Sequence, residues 1–168
     1  MADSAYWAVI WVLLTVVIFV SAVLAGRSRR AMYVGRIAVG TLFIAAGALF
    51  NALNLTTGGD YKDFADSSYI PFVKHTRRSL VAPHQDFFIP LLIVFEATVG
   101  MLILSGGRRT QLGLVAAIGF EVGLLFFGWA FAAWSIPTIV AFVLLLRAER
   151  KQSAPVAPED QAEQPLAA

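Results

Sequence analysis

The sequence predicts an all-α integral membrane protein with five membrane-spanning helices. Three observations lead there. Hydrophobic residues make up 58% of the 168 residues and charged residues 14%, against roughly 45–50% and about 25% in soluble chains. The apolar residues fall into long runs that hold almost no charge. The basic residues collect in alternate loops between those runs. With a mean hydropathy of +0.72, a water-soluble domain of this length has no interior large enough for its apolar surface.

A helix needs about 20 apolar residues to cross roughly 30 Å of hydrocarbon. Residues 5–25 form the first such run, without a charge. Asp3 precedes it and Arg27, Arg29 and Arg30 follow it. A secretory signal carries its positive charge ahead of the apolar core, so this order predicts a retained anchor with its N-terminus outside. Residues 37–55 form the second run. Residues 87–105 form the third, interrupted by Glu96 and with Pro90 near its start. Residues 112–146, interrupted by Glu121, are too long for one crossing and long enough for two. Trp129, Trp134, Ser135 and Pro137 place the intervening turn between Gly128 and Pro137.

The charges fix an orientation. The loop of residues 26–36 carries four Arg and no acid, Arg108 and Arg109 follow the third run, and Arg147, Arg150 and Lys151 follow the fifth. The positive-inside rule puts all three on the cytoplasmic side of a cell membrane. The balanced stretch of residues 56–86 then lies outside, and all four Trp fall in the outer half. The stretch from Tyr69 to Val81 reads equally well as a short helix on the membrane surface or as an irregular loop. Residues 151–168, rich in Ala, Pro, Gln and Glu, are expected to be a disordered cytoplasmic tail. The basic pI, about 9.2, is thus a membrane signature, and no nucleic acid partner is expected.

With no cysteine, disulfides, thiol chemistry and Cys-ligated metals are excluded. His75 and His84 match no zinc or haem spacing, and no metal site is expected. No Rossmann glycine pattern, P-loop or Ser–His–acid order is present. The candidate functional groups are therefore few. A carboxyl at membrane depth costs about 2.5–3.5 kcal/mol on insertion scales, which makes Glu96 and Glu121 candidates for ligand binding or proton exchange. The bland reading of each is a neutral hydrogen bond that glues two helices. Each lies nine residues from the end of its run, or about 13 Å at 1.5 Å per residue, from opposite faces of the membrane. On antiparallel neighbours they would meet at one depth and share a proton.

Asn51 lies one turn beyond Gly47 on the same helix. It reads as a helix-ending, interhelical residue and as a further ligand-binding candidate. Arg77 and Arg78 read as a solvated basic pair, or as a contact for anionic lipid or a partner protein. Gly40 and Gly47 place small residues where helices can approach closely. Gly119 and Gly123, spaced as GxxxG, suggest a packing seam.

Two segments carry a family resemblance. Arg36-Ile37-Ala38-Val39-Gly40-Thr41-Leu42-Phe43-Ile44-Ala45-Ala46-Gly47 resembles the opening Arg…Gly…Phe…Gly helix of the DoxX-like family of small membrane proteins. Phe95-Glu96-Ala97-Thr98-Val99-Gly100-Met101-Leu102 resembles its Glu-x-x-x-Gly-x-x-Leu helix, with Arg108-Arg109 as the following basic turn. The resemblance covers about two thirds of the chain. It implies a four-helix DoxX-like bundle over residues 31–150, with residues 1–30 an additional N-terminal transmembrane helix and its basic flank. It also departs from the family: Asn51 stands where members often carry Lys.

The resemblance implies an accessory or quinone-interacting component of a membrane redox complex. No cofactor ligand is intrinsic to the sequence, so the quinone or a membrane oxidoreductase subunit would supply the redox chemistry. The competing readings are a binding or transport protein for a small or lipid-like ligand, and a structural membrane protein without catalysis.

Overall fold

The fold was obtained as a computed structural model. It describes residues 2–59, 61 and 66–153, apart from the side chains of residues 2–8, 10 and 11. The expected disordered tail beyond residue 153, and the side chains of Trp7 and Trp11, lie outside the described residues. Those residues form helices and turns without a strand.

Helix α1 spans Ala2–Ala25, and α2 runs over Arg29–Thr56. The Ser28 Oγ caps α2 by accepting from the Ala31 N–H at 3.3 Å, satisfying one of the free donors of its first turn. A short helix, α3, begins at Pro71–Thr76 and continues through a π turn at Arg77–Val81. The following bend at His84 leads into α4, Gln85–Ser105. Next come α5, Gly107–Leu124, a 3-10 turn at Leu125–Phe127, and α6, Trp129–Gln152. Four of these segments are long and apolar enough to cross a membrane, and α1 adds a further apolar stretch at Val12–Ala25. The protein is an all-α, multi-pass membrane bundle.

Helices α2, α4, α5 and α6 pack in sequence around a common centre, and α1 lies across α2 and α6. The α4–α5 corner turns on Gly106 and Gly107, both at positive φ, a conformation that glycine adopts without a Cβ clash. Thr110, fully buried, locks the corner. Its hydroxyl accepts from the Gly106 N–H at 2.9 Å and donates to the Ile103 carbonyl at 2.8 Å.

Two expectations change on contact with the structure, and one open choice is decided. The α5–α6 turn lies at Gly128 alone, with φ +141°, and Trp134, Ser135 and Pro137 belong to the helix that follows. A Cβ at position 128 would meet the Ser67 carbonyl oxygen at 2.7 Å, so a close approach from the outer loop fixes the turn there. The residues from Pro71 to Val81 are helical and not an irregular loop. The GxxxG pair is not a packing seam: nothing lies within 4 Å of a Cβ placed on Gly119 or Gly123, and both border a cavity. The intimate crossing is between α2 and α4, where a Cβ on Gly100 would meet the Gly40 carbonyl oxygen at 2.9 Å.

Packing divides the bundle into two halves. Val39, Val99, Ile103, Leu114, Ala117, Phe142 and Leu145 form a closely packed core. At that end the three basic stretches converge. Arg36 lies 3.7 Å from Glu149, and Gln111 donates to Ser153 at 3.3 Å. The opposite half is open.

Candidate functional site

The open half holds a cavity of about 910 Å³, within the range of small-molecule sites. All four bundle helices and α3 contribute to its wall. Phe43 and Phe120 lie between cavity and core, their rings 5.8 Å apart and edge to face. Further rings come from Phe50, Phe72, Phe88, Phe127, Phe131 and Trp134. Phe50, Phe72 and Phe126 border the cavity while remaining exposed, and so mark its mouth between α2, α3 and the α5–α6 turn.

Both intramembrane acids face this cavity. Glu96 is 5% exposed and Glu121 3%. The Asn51 Nδ2 donates to Glu96 Oε2 at 2.9 Å, and the Ser135 hydroxyl donates to Glu121 Oε2 at 2.6 Å. Among the described residues, the second oxygen of each acid receives no protein hydrogen bond. The acids thus share a cavity, but they do not form the directly paired centre expected from their matching depth. Each is held across a different helix interface, α2–α4 for Glu96 and α5–α6 for Glu121.

Local backbone geometry makes room for Glu96. Residues Leu42–Leu49 of α2 are wound as a π-helix, a form often found at functional sites. The Phe50 N–H reaches five residues back to the Ala45 carbonyl. Gly47, on this stretch, leaves the space that the Glu96 carboxyl occupies.

Tyr61 and α3 line one end of the cavity. Arg77 is 6% exposed and borders the cavity, so the basic pair is split. Only Arg78 remains at the surface, paired with Asp66 at 2.8 Å. The Arg77 Nη2 donates to the Tyr61 carbonyl, and its Nη1 has no hydrogen-bond partner. The Tyr61 hydroxyl in turn donates to the Asn51 carbonyl at 3.1 Å and lies 3.3 Å from its Oδ1. Asn51, Tyr61 and Arg77 therefore form one polar chain leading to Glu96.

The far side of the loop is tied down by three consecutive hydroxyls. Ser67 donates to the Phe127 carbonyl at 3.0 Å, and Ser68 to the Phe126 carbonyl at 2.6 Å. Tyr69 donates to the Leu125 carbonyl. A 3-10 turn that ends at a corner leaves such carbonyls without partners of their own, and the loop supplies the missing donors.

Sequence reasoning found both acids, because a charge inside an apolar run stands out. It also placed Asn51 on the face of Gly47. It missed the inward turn of Arg77 and the contributions of Tyr61, Ser135 and Trp134. Nothing in their local sequence distinguishes them from ordinary loop and turn residues.

No family model, curated protein or solved structure matches the chain.

Proposed function

We propose that the protein is a quinone-interacting accessory component of a membrane redox complex, related to the DoxX-like proteins. The observation that carries this reading is the placement of Glu96 and Glu121 on one aromatic-walled cavity, each with an oxygen open to a ligand. A quinone is an apolar ring with polar oxygens at its edge. The rings of the wall would hold its body. A protonated carboxyl donates to a carbonyl oxygen, and an ionised one accepts from a hydroxyl. Asn51 and Ser135 keep the two acids in place. The redox partner in this reading is a membrane oxidoreductase subunit. The family relationship is supported by how the two resembling segments meet, Gly40 against Gly100 and Gly47 against Glu96.

The same reading takes the basic end as cytoplasmic, with α1 entering from outside. Reporter fusions at Gln152 and in the outer loop should report opposite sides of the cell membrane; a common side sinks this orientation.

Organic extraction of protein purified in mild detergent, followed by mass spectrometry, tests the ligand. A co-purifying quinone that is depleted in Glu96→Gln and Glu121→Gln supports the proposal. Carriage of another lipid-like molecule is the second reading, favoured by the exposed mouth at Phe50, Phe72 and Phe126. Recovery of such a molecule without quinone would select it.

A further inference from the structure

We propose that the cavity takes a lipid-like anion, an apolar chain ending in a carboxylate or a phosphate, with its head on Arg77. The inference rests on the second reading above, carriage of a lipid-like molecule, and names the head of that molecule. It starts from the two arginines of α3. Arg78 is exposed and has its counter-charge, Asp66 at 2.8 Å. Arg77 is 6% exposed and borders the cavity, and among the described residues it pairs with no carboxylate. Arginine does not give up its proton in proteins, so the charge stays. A buried charge is costly unless it is both paired and hydrogen-bonded. Within the chain the Arg77 Nη2 donates to the Tyr61 carbonyl, a neutral acceptor, and Nη1 is buried without a hydrogen-bond partner. The guanidinium is thus short of one acceptor and one negative charge. A carboxylate or a phosphate supplies both, because its oxygens match the planar fork of the guanidinium. The wall beside Arg77 suits the rest of such a molecule: Phe72, Val73, Val81, Phe88 and Leu92 offer only apolar surface to a hydrocarbon chain. Glu96 and Glu121 also border the cavity and repel an anion. Asn51 and Ser135 hold them at the α2–α4 and α5–α6 interfaces, which leaves the Tyr61 end, where Arg77 sits, as the place for the head. A quinone would use the acids and this ligand uses Arg77, so variants tell the two apart.

Palmitate, hexadecyl phosphate and hexadecanol test this directly, because they share one chain and differ in the head. Equilibrium binding of each is measured on the full chain in non-ionic detergent, at a pH that ionises both acids. At least one of the two anions should bind saturably and about ten-fold tighter than hexadecanol, the scale of one hydrogen bond to a charged group. The better of the two names the head. That preference should vanish in Arg77→Gln, persist in part in Arg77→Lys and remain in Arg78→Gln. In Glu96→Gln the anion should bind no less well. Equal binding of hexadecanol to the unaltered protein overturns the proposal and leaves a neutral lipid-like ligand as the second reading. A preference that survives Arg77→Gln overturns it as well. So does one lost in Arg78→Gln, which marks attraction to the surface, or one lost in Glu96→Gln, which moves the head to the acids. Absent saturable binding of all three overturns it together with the lipid-like reading. The comparison on the unaltered protein decides even if a variant fails to fold.

Discussion

The Cβ that Gly47 lacks would lie 2.8 Å from the carboxyl carbon of Glu96. The two residues are 49 positions apart in the sequence, and the side chain of one occupies the space left by the other. The polar end of the cavity therefore depends on a glycine, through the space that its missing Cβ leaves open.

Gly47→Ala should displace the Glu96 carboxyl from Asn51. Overpacking of this kind destabilises by about 1–3 kcal/mol. Thermal unfolding in detergent should show a lowered midpoint, with ligand binding reduced more than in a control Gly26→Ala, whose Cβ meets nothing within 4 Å. A wild-type midpoint and affinity would show that Glu96 has another place to go.

Gly119→Ala and Gly123→Ala should behave in the opposite way. An added methyl meets no neighbour there, and replacing glycine within a helix gains about 0.5–1 kcal/mol. Stability should hold or rise slightly while the cavity shrinks, so a bulky ligand binds less well. Marked destabilisation would restore the packing-seam reading of this pair.

Ser68→Ala removes the 2.6 Å bond to the Phe126 carbonyl at a buried site. Loss of a partner to a buried acceptor costs about 1–3 kcal/mol. Hydrogen exchange should accelerate locally over residues 66–70 and 125–131, leaving the α4–α5 corner protected. Uniform acceleration across the bundle would show that this contact supports the whole fold and not one corner.

Arg36 and Glu149 make a partly buried ion pair in which the Arg36 Nε and the Glu149 Oε1 have no hydrogen-bond partner. Breaking a buried pair from one side costs roughly 3–5 kcal/mol, and replacing both members with apolar residues is often neutral. The exposure of Arg36 lowers that cost here. Arg36→Met and Glu149→Leu should each lower the unfolding midpoint, and the double variant should recover most of the loss. Additive losses in the double variant would assign the two residues separate roles.

The helices were legible because the bilayer sets their length: uncharged runs such as residues 37–55 had to be spans. The acids were legible for the same reason. The α5–α6 corner was not, because Gly128 and Pro137 are both plausible breakers. The choice was made by Ser67, a residue distant in sequence. Pro137 is instead accommodated inside α6. Arg77 was misread as half of a solvated pair because its neighbour Arg78 is chemically identical, and only the side of α3 that lines the cavity separates them. Ser135, read as a turn residue, became a side-chain donor once the corner moved to Gly128.

The π-wound stretch of α2 sets the angular phase between its two ends. Each i→i+5 ring encloses one residue more than an α-helical ring, so the segment before Leu42 and the segment after Leu49 are not in register as one regular α-helix. Deleting one residue along with rewinding the stretch as a regular α-helix would keep the phase. Rewinding it with no residue removed would turn everything beyond it by about 100°, the angle of one residue in an α-helix. Gly40 would still cross Gly100, but Gly47 and Asn51 would swing away from Glu96. The surplus residue thus acts as an indexing step, by which one helix presents a packing surface to α4 at one level and a polar surface to the cavity at the next.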